Sequence, residues 1–187
     1  MSLQLPHKII GGIDYNKIRE PWFLSKILRE KGFSVSHRFE GVGDGDPADL
    51  YLSNPSDSGK YVFLVVVRAV SQGKAYVDLY HGVTVTTAGT SLTPVNLFRG
   101  STASSVVSAE YGGTYDISGA THILSDLCPG GYGVKPLGDA IEVGESAVIP
   151  PGLDLLVRVT NVSGMAQDIA IKVSWWEDEL KAATVSP

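Results

Sequence analysis

The sequence predicts an all-β protein, a jelly-roll-like β-sandwich of about eight to ten strands with an N-terminal arm and one short helix. Three observations lead there. The first is the last large apolar block, 148–180. Leu153, Leu155, Val157 and Val159 alternate there with Asp154, Leu156, Arg158 and Thr160. After a turn, Ile169, Ile171, Val173 and Trp175 alternate with Ala170, Lys172, Ser174 and Trp176. Period-2 patterning marks strands with one buried face. The second is composition: 21 glycines and 10 prolines, with abundant Val, Thr and Ser, call for many strands and many turns. The third is that helical periodicity occurs in a single place.

The terminal pair has its own punctuation. Pro150-Pro151-Gly152 stops pairing before the first strand, because proline donates no ladder hydrogen bond. Asn161-Val162-Ser163-Gly164 supplies residues that tolerate the positive φ of a reversal. Such a pair is too apolar to stand alone and requires a second sheet across it.

Composition narrows the function classes. A chain of 187 residues can bury a proper core without staples. The net charge of −5, with no long basic run, argues against a nucleic-acid-binding role. Cys128 is the only cysteine, so there is no disulfide frame and no thiolate metal cage. The start lacks the sustained apolar segment of an export signal, and the run 61–67 is far short of the ~20 residues a membrane helix needs. The expectation is a soluble protein made in a reducing host cytoplasm, with no membrane partner.

Taken in order, residues 1–48 read as an N-terminal arm with a helix at about 21–31 and a Gly/Asp linker. Pro21 suits the first helical position and Gly32 the position after the end, while Phe23, Leu24, Ile27 and Leu28 form one apolar face. So short a helix must dock, either as a cap on the β domain or, with Trp22, Phe23 and Ile27 as contacts, on a neighbouring subunit. The stretch 41–49 holds Asp44, Asp46 and Asp49 but lacks the bidentate glutamate of a calcium loop, so it reads as a solvated linker.

The β-sandwich domain spans 49–180, with 181–187 as a tail. Residues 50–52 lead through a turn at 53–59 into 61–67, an unbroken apolar strand whose two faces must both be covered. Next comes 75–80, in which Tyr76, Asp78 and Tyr80 oppose Val77 and Leu79. Further strands are expected at 83–87, 91–96, 114–117, 122–127, 141–143 and 147–149. Between 98 and 138 the pattern loosens among small and polar residues, and long irregular segments are often functional.

Catalytic signals are missing. His7, His37, His81 and His122 have no metal-ligand spacing, Cys128 has no histidine partner in sequence, and no Gly-x-Ser-x-Gly elbow or phosphate loop occurs. Glu177, Asp178 and Glu179 read as the charged end of a strand that must stop. No cofactor, metal or catalytic residue is expected, and the protein reads as a non-enzyme. Aromatic residues are the better lead. Trp175 and Trp176 are adjacent on a strand and point to opposite faces. One belongs to the core, and the other packs on the helix, on another subunit, or on a sugar.

The runs 49–70, 77–105 and 149–177 resemble tailed-bacteriophage virion proteins. The marks are Asn54-Pro55 with Ser58-Gly59, Gly89-Thr90, Leu92-Thr93-Pro94-Val95-Asn96-Leu97, Gly100-Ser101, Pro150-Pro151-Gly152 and Trp175-Trp176-Glu177. The resemblance covers about residues 49–177. It implies a β-sandwich capsid decoration (cement) or related head or tail accessory protein, a structural protein of the virion, commonly trimeric. Its partners would be itself and other virion proteins such as the major capsid protein. The expected oligomer interface is Tyr61, Phe63, Val65, Val67 and Trp176. The alternative is a carbohydrate-binding β-sandwich module, from a receptor-binding fibre or attached to an enzyme, with Tyr76, Asp78 and Tyr80 against the sugar.

Overall fold

The computed structural model describes residues 9–10, 13–14, 22–129 and 147–179. Its elements are β1 (Ile9–Ile10), β2 (Ile13–Asp14), α1 (Trp22–Leu28), β3 (Gly32–Val42), β4 (Pro47–Ser53), β5 (Tyr61–Ser71) and β6 (Ala75–His81). Then come β7 (Thr84–Thr87), β8 (Thr90–Leu92), β9 (Val95–Asn96), β10 (Ser108–Tyr111), β11 (Thr114–Asp116) and β12 (Thr121–Cys128). The chain closes with β13 (Val148–Ile149), β14 (Asp154–Asn161) and β15 (Gln167–Asp178). The expected strand at 141–143 and the tail 181–187 lie outside the described residues.

Two antiparallel sheets face each other. One runs β13-β5-β15-β3-β9 and the other β12-β6-β14-β4-β10-β8. Setting aside the short β8, β9 and β10, the chain alternates between sheets, β3 to β4 to β5 to β6 and then β12 to β13 to β14 to β15. That alternation, with β15 between β3 and β5 and β14 between β4 and β6, is jelly-roll topology. The two four-stranded halves match the expected strand count, and the edges add three more. The pairs β1–β2 and β7–β11 lie apart from both sheets.

Inward residues of both sheets build one core. Val35, Val67, Ile171, Val173 and Trp175 from the first sheet meet Leu50, Leu52, Val77, Leu79, Val157 and Val159 from the second. The terminal pair, expected to lie together beneath a second sheet, is instead split between the two sheets, and its strands face each other across the core. The turn between them closes as expected, with Gly164 at φ 81°.

Three readings of the first half are corrected. The sandwich begins at Gly32 rather than at residue 49, because β3 pairs along nearly its whole length with β15. Phe33, Val35, His37 and Phe39 alternate with Ser34, Ser36, Arg38 and Glu40, and His37 occupies an apolar slot. The stretch 41–49 is a tight connection between sheets: Gly45 N–H donates to Asn161 O (2.8 Å) and Asn161 N–H to Asp46 O (3.1 Å). The helix ends at Leu28 and is closed by Glu30, not Gly32. Glu30 takes φ 60°, Glu30 N–H donates to Ile27 O and Lys31 N–H to Lys26 O, a Schellman closure. Gly32 matters for another reason, since a Cβ there would lie 2.8 Å from Ile27 Cγ1.

The expected strand at 91–96 divides at Thr93-Pro94, with β8 on one sheet's edge and β9 on the other's. Residues 82–120 thus form an insertion between β6 and β12 that wraps round one side of the sandwich. Gly89 is required where this insertion turns, because a Cβ would collide with the Tyr111 backbone.

Candidate functional site

The residues expected at an oligomer interface do not all share a face. Opposite β5, Ser174 pairs with Val66 and Trp175 with Leu64, so Val65 is one residue too many. A bulge of this kind resets the alternation. Tyr61, Phe63 and Val65 are half-buried on the outside, whereas Val67 is 0% exposed in the core. Val67 is removed from the expected interface for that reason.

Trp175 and Trp176 divide as adjacent strand residues must. Trp175 is buried beside Phe33, and its indole N–H donates to Glu177 Oε1 at 3.1 Å. Trp176 lies on the outer face, parallel to Phe63 with ring centroids 3.9 Å apart. Lys26 Nζ sits 3.8 Å above the Trp176 ring, and both Lys26 and Lys31 bind Asp178. The helix is therefore docked on its own sandwich by a cation–π contact and two ion pairs. Its apolar positions separate: Phe23 and Ile27 are half-buried, while Leu24 and Leu28 remain 42% and 52% exposed. The side chain of Trp22 lies outside the described residues.

The three residues of the sugar reading do gather on the outer face of the six-stranded sheet, as alternation with buried Val77 and Leu79 requires. Tyr76 is 44% exposed, with Lys74 Nζ 5.5 Å from its ring centre. Asp78 and Tyr80 are otherwise engaged: His122 Nε2 lies 3.0 Å from Asp78 Oδ1, and its ring stacks on Tyr80 at 4.6 Å. Beside them Arg158 makes a two-pronged pair with Asp49, Nε to Oδ1 at 2.9 Å and Nη2 to Oδ2 at 2.7 Å. The pair β7–β11 covers this region, with Val83 and Tyr115 over Leu156. Tyr115 stacks on Tyr51 and donates its hydroxyl to Glu110; Tyr51 donates to Asp154. Burial, then the Asp154 carboxylate, pushes the Tyr51 phenol up to about 12. Burial, then the bond to Glu110, raises the Tyr115 phenol further still.

Several polar residues that composition did not single out tie loops together. Glu177 is 1% exposed and accepts from Ser105 Oγ (2.5 Å), Val106 N–H (3.2 Å) and Trp175 Nε1, with Lys60 Nζ at 3.5 Å. It is a buried clasp on the loop before β10, not the trailing charge of a strand. Asn54, also buried, donates to Lys60 O and Ile149 O, and its own backbone carbonyl accepts from Gly152 N–H. Asn161 donates to Val42 O and Met165 O and accepts from Ser163 N–H and Gln167 Nε2. Asn96 donates to Glu30 O, and Ser101 donates to the Glu30 carboxylate.

Most of the motifs that carried the resemblance are thus anchoring points. Asn54, Gly89, Asn96, Ser101, Gly152 and Glu177 each fix a loop or the helix end. The signal in the sequence was the position of an amide or acid beside Pro, Gly or Trp, which betrays a turn that must be buried. Comparison with protein-family models and with curated proteins found no match. What the coordinates define is the class: a jelly-roll β-sandwich with a docked N-terminal helix. Among the described residues, no three His, Cys, Asp or Glu side chains converge where they could hold a metal.

Proposed function

We propose that this jelly roll is a non-enzymatic structural protein of a tailed-phage virion, a capsid decoration or related accessory protein that self-associates and binds the virion surface. The observation that carries the reading is the apolar rim at the helix end of the five-stranded sheet. Tyr61, Phe63 and Val65 are only half-buried there, and Val148, paired to Phe63, is exposed. Leu24 and Leu28 add exposed apolar area on the docked helix. Interface cores concentrate apolar and aromatic side chains, and this rim groups them beside the ion pairs of Asp178 with Lys26 and Lys31. The resemblance of the sequence to virion proteins supports it further, since Asn54, Asn96, Ser101, Gly152 and Glu177, among the residues that carry it, fix loops near this end. Residues 9–10 and 13–14 pair with each other and with neither sheet, which suits an arm directed at a neighbour.

Size-exclusion chromatography with light scattering tests the reading. A homotrimer is expected at micromolar concentration, dissociating when Phe63 and Leu28 are replaced by Glu. A wild-type chain that stays monomeric overturns it. The carbohydrate reading keeps Tyr76 as an open ring, but Asp78 and Tyr80 are already occupied by His122, so it is second.

A further inference from the structure

The outer face of the five-stranded sheet changes character away from the helix. Lys172 on β15 is the direct cross-strand neighbour of Arg68 on β5 and of Ser36 on β3. Arg38 lies one outward step along β3, opposite Ala170, and Arg99 approaches from the segment after β9. All four cations are exposed. Like charges directly opposite one another on a sheet destabilise it, and no ion pair among the described residues offsets that cost at Arg68 and Lys172. Arg38 pairs with Glu40, whereas Arg68, Arg99 and Lys172 enter none of the ion pairs among the described residues. The chain as a whole carries net charge −5, so a bare cluster of cations runs against its average.

The surface is also shaped. A depression of about 350 Å³ lies between Arg38, Arg68 and Lys172, floored by the outward side chains of Val70 and Ala170. A second, of about 370 Å³, shares Ser36 and Lys172 and is lined by Leu92, Val95, Leu97 and Arg99. Cations alternate with apolar floor along both.

We infer that this face is a docking surface for an acidic segment of a partner protein, a chain in which Asp or Glu alternates with apolar residues. Charge complementarity supplies the first half of that assignment, and the apolar floor supplies the second, because a carboxylate-bearing peptide can fill both. A nucleic acid fits less well. It would want stacking aromatics, and no Phe, Tyr or Trp lines either depression; its dense charge would also meet the repulsion of a net-negative protein. A short acidic peptide feels mainly the cations within a Debye length. The inference holds whether or not the apolar rim forms a trimer, since the two surfaces share no residue.

Fluorescence anisotropy of a labelled peptide of alternating glutamate and leucine, titrated with the full-length protein, tests it. Binding is expected at low salt, weakening as salt rises, and reduced about tenfold or more in Arg68→Gln/Lys172→Gln, a loss of about 1.4 kcal/mol. The control Arg29→Gln/Lys74→Gln should bind as wild type, and circular dichroism should show both variants folded. Absence of binding by the wild type, equal binding by the two double variants, or tighter binding of an oligodeoxythymidylate at the same residues would each overturn the assignment.

Discussion

Arg158 grips Asp49 with both of its prongs, and the pair is nearly sealed from water, with side-chain exposures of 17% and 5%. It joins β14 to β4 directly beneath the β7–β11 flap. An ion pair in this position is weak evidence of net stability, because desolvation offsets the attraction. Losing one partner is another matter. Arg158→Met should destabilise the fold by about 3 kcal/mol, since it leaves a buried carboxylate unpaired. The double change Arg158→Met/Asp49→Leu should recover most of that. Urea denaturation of the wild type and the two variants decides the point, and an unrecovered double variant would contradict it.

Glu177 offers a parallel case with a local readout. Replacing it by Ala strands the Trp175 indole, the Ser105 hydroxyl and the Val106 amide, and leaves Lys60 without its carboxylate. A loss of about 3 kcal/mol is expected from several unsatisfied buried groups together. Limited proteolysis should then cut first within 97–107, the loop that Glu177 holds. Uniform cutting elsewhere would show that the clasp is not what orders that loop.

The phase reset on β5 is directly testable. Val65 and Val67 are two residues apart, so simple alternation would put them on one face. Because of the bulge, Val67→Asp should cost about 4 kcal/mol or more by burying an unpaired charge, whereas Val65→Asp should leave a folded protein. Thermal melts of the pair give the answer. Similar melting temperatures would refute the placement of the bulge.

Tyr115 of the flap and Tyr51, on which it stacks, set an alkaline limit. An unfolded phenol ionises near pH 10, while Tyr51 holds its proton to about 12 and Tyr115 beyond that. The native state therefore binds more protons than the unfolded state above pH ~10, and stability must fall as pH rises from there. Below pH ~10 their contribution is fully present. Tyr115→Phe should flatten the fall. Guanidinium denaturation at stepped pH, with tyrosinate absorbance as the second probe, measures both.

His37 works at the opposite end of the scale. Its ring stacks on Tyr111 at 3.5 Å and meets Phe39 edge-on, and burial lowers its pKa. The unfolded chain takes up a proton near pH 6.5 that the native site resists, so stability should drop as pH falls below that value. His37→Phe should remove this dependence; an unchanged acid profile would mean that another group governs it.

Much of this architecture was legible from patterning alone. The two terminal strands, though not their division between opposite sheets, the 75–80 strand and the outward-facing Tyr76, Asp78 and Tyr80 follow from a period of two, which survives wherever strands run straight. It fails at two kinds of place. In β3 the alternation was present, but a histidine stood in an apolar slot and a Gly/Asp turn followed, so the segment read as part of the arm. In β5 the alternation was masked by a run of valines, and only the partner strand reveals which of them is supernumerary. The candidate surfaces were harder to read. Trp176 and Phe63 belong to one contact because their strands are neighbours, and Arg68, Arg38 and Lys172 meet for the same reason. Neighbourhood across strands far apart in sequence leaves no trace in local composition.

The position of β15 has a consequence for how the protein comes into being. The last long strand is the middle of its sheet, seated between β3 and β5. While the chain is being synthesised, those two strands have no central partner, and their inward valines and phenylalanines stay uncovered until residues 167–178 leave the ribosome. The sheet therefore cannot close before β15 has emerged, and a chain truncated ahead of residue 167 has exposed strand edges, primed to aggregate rather than to fold.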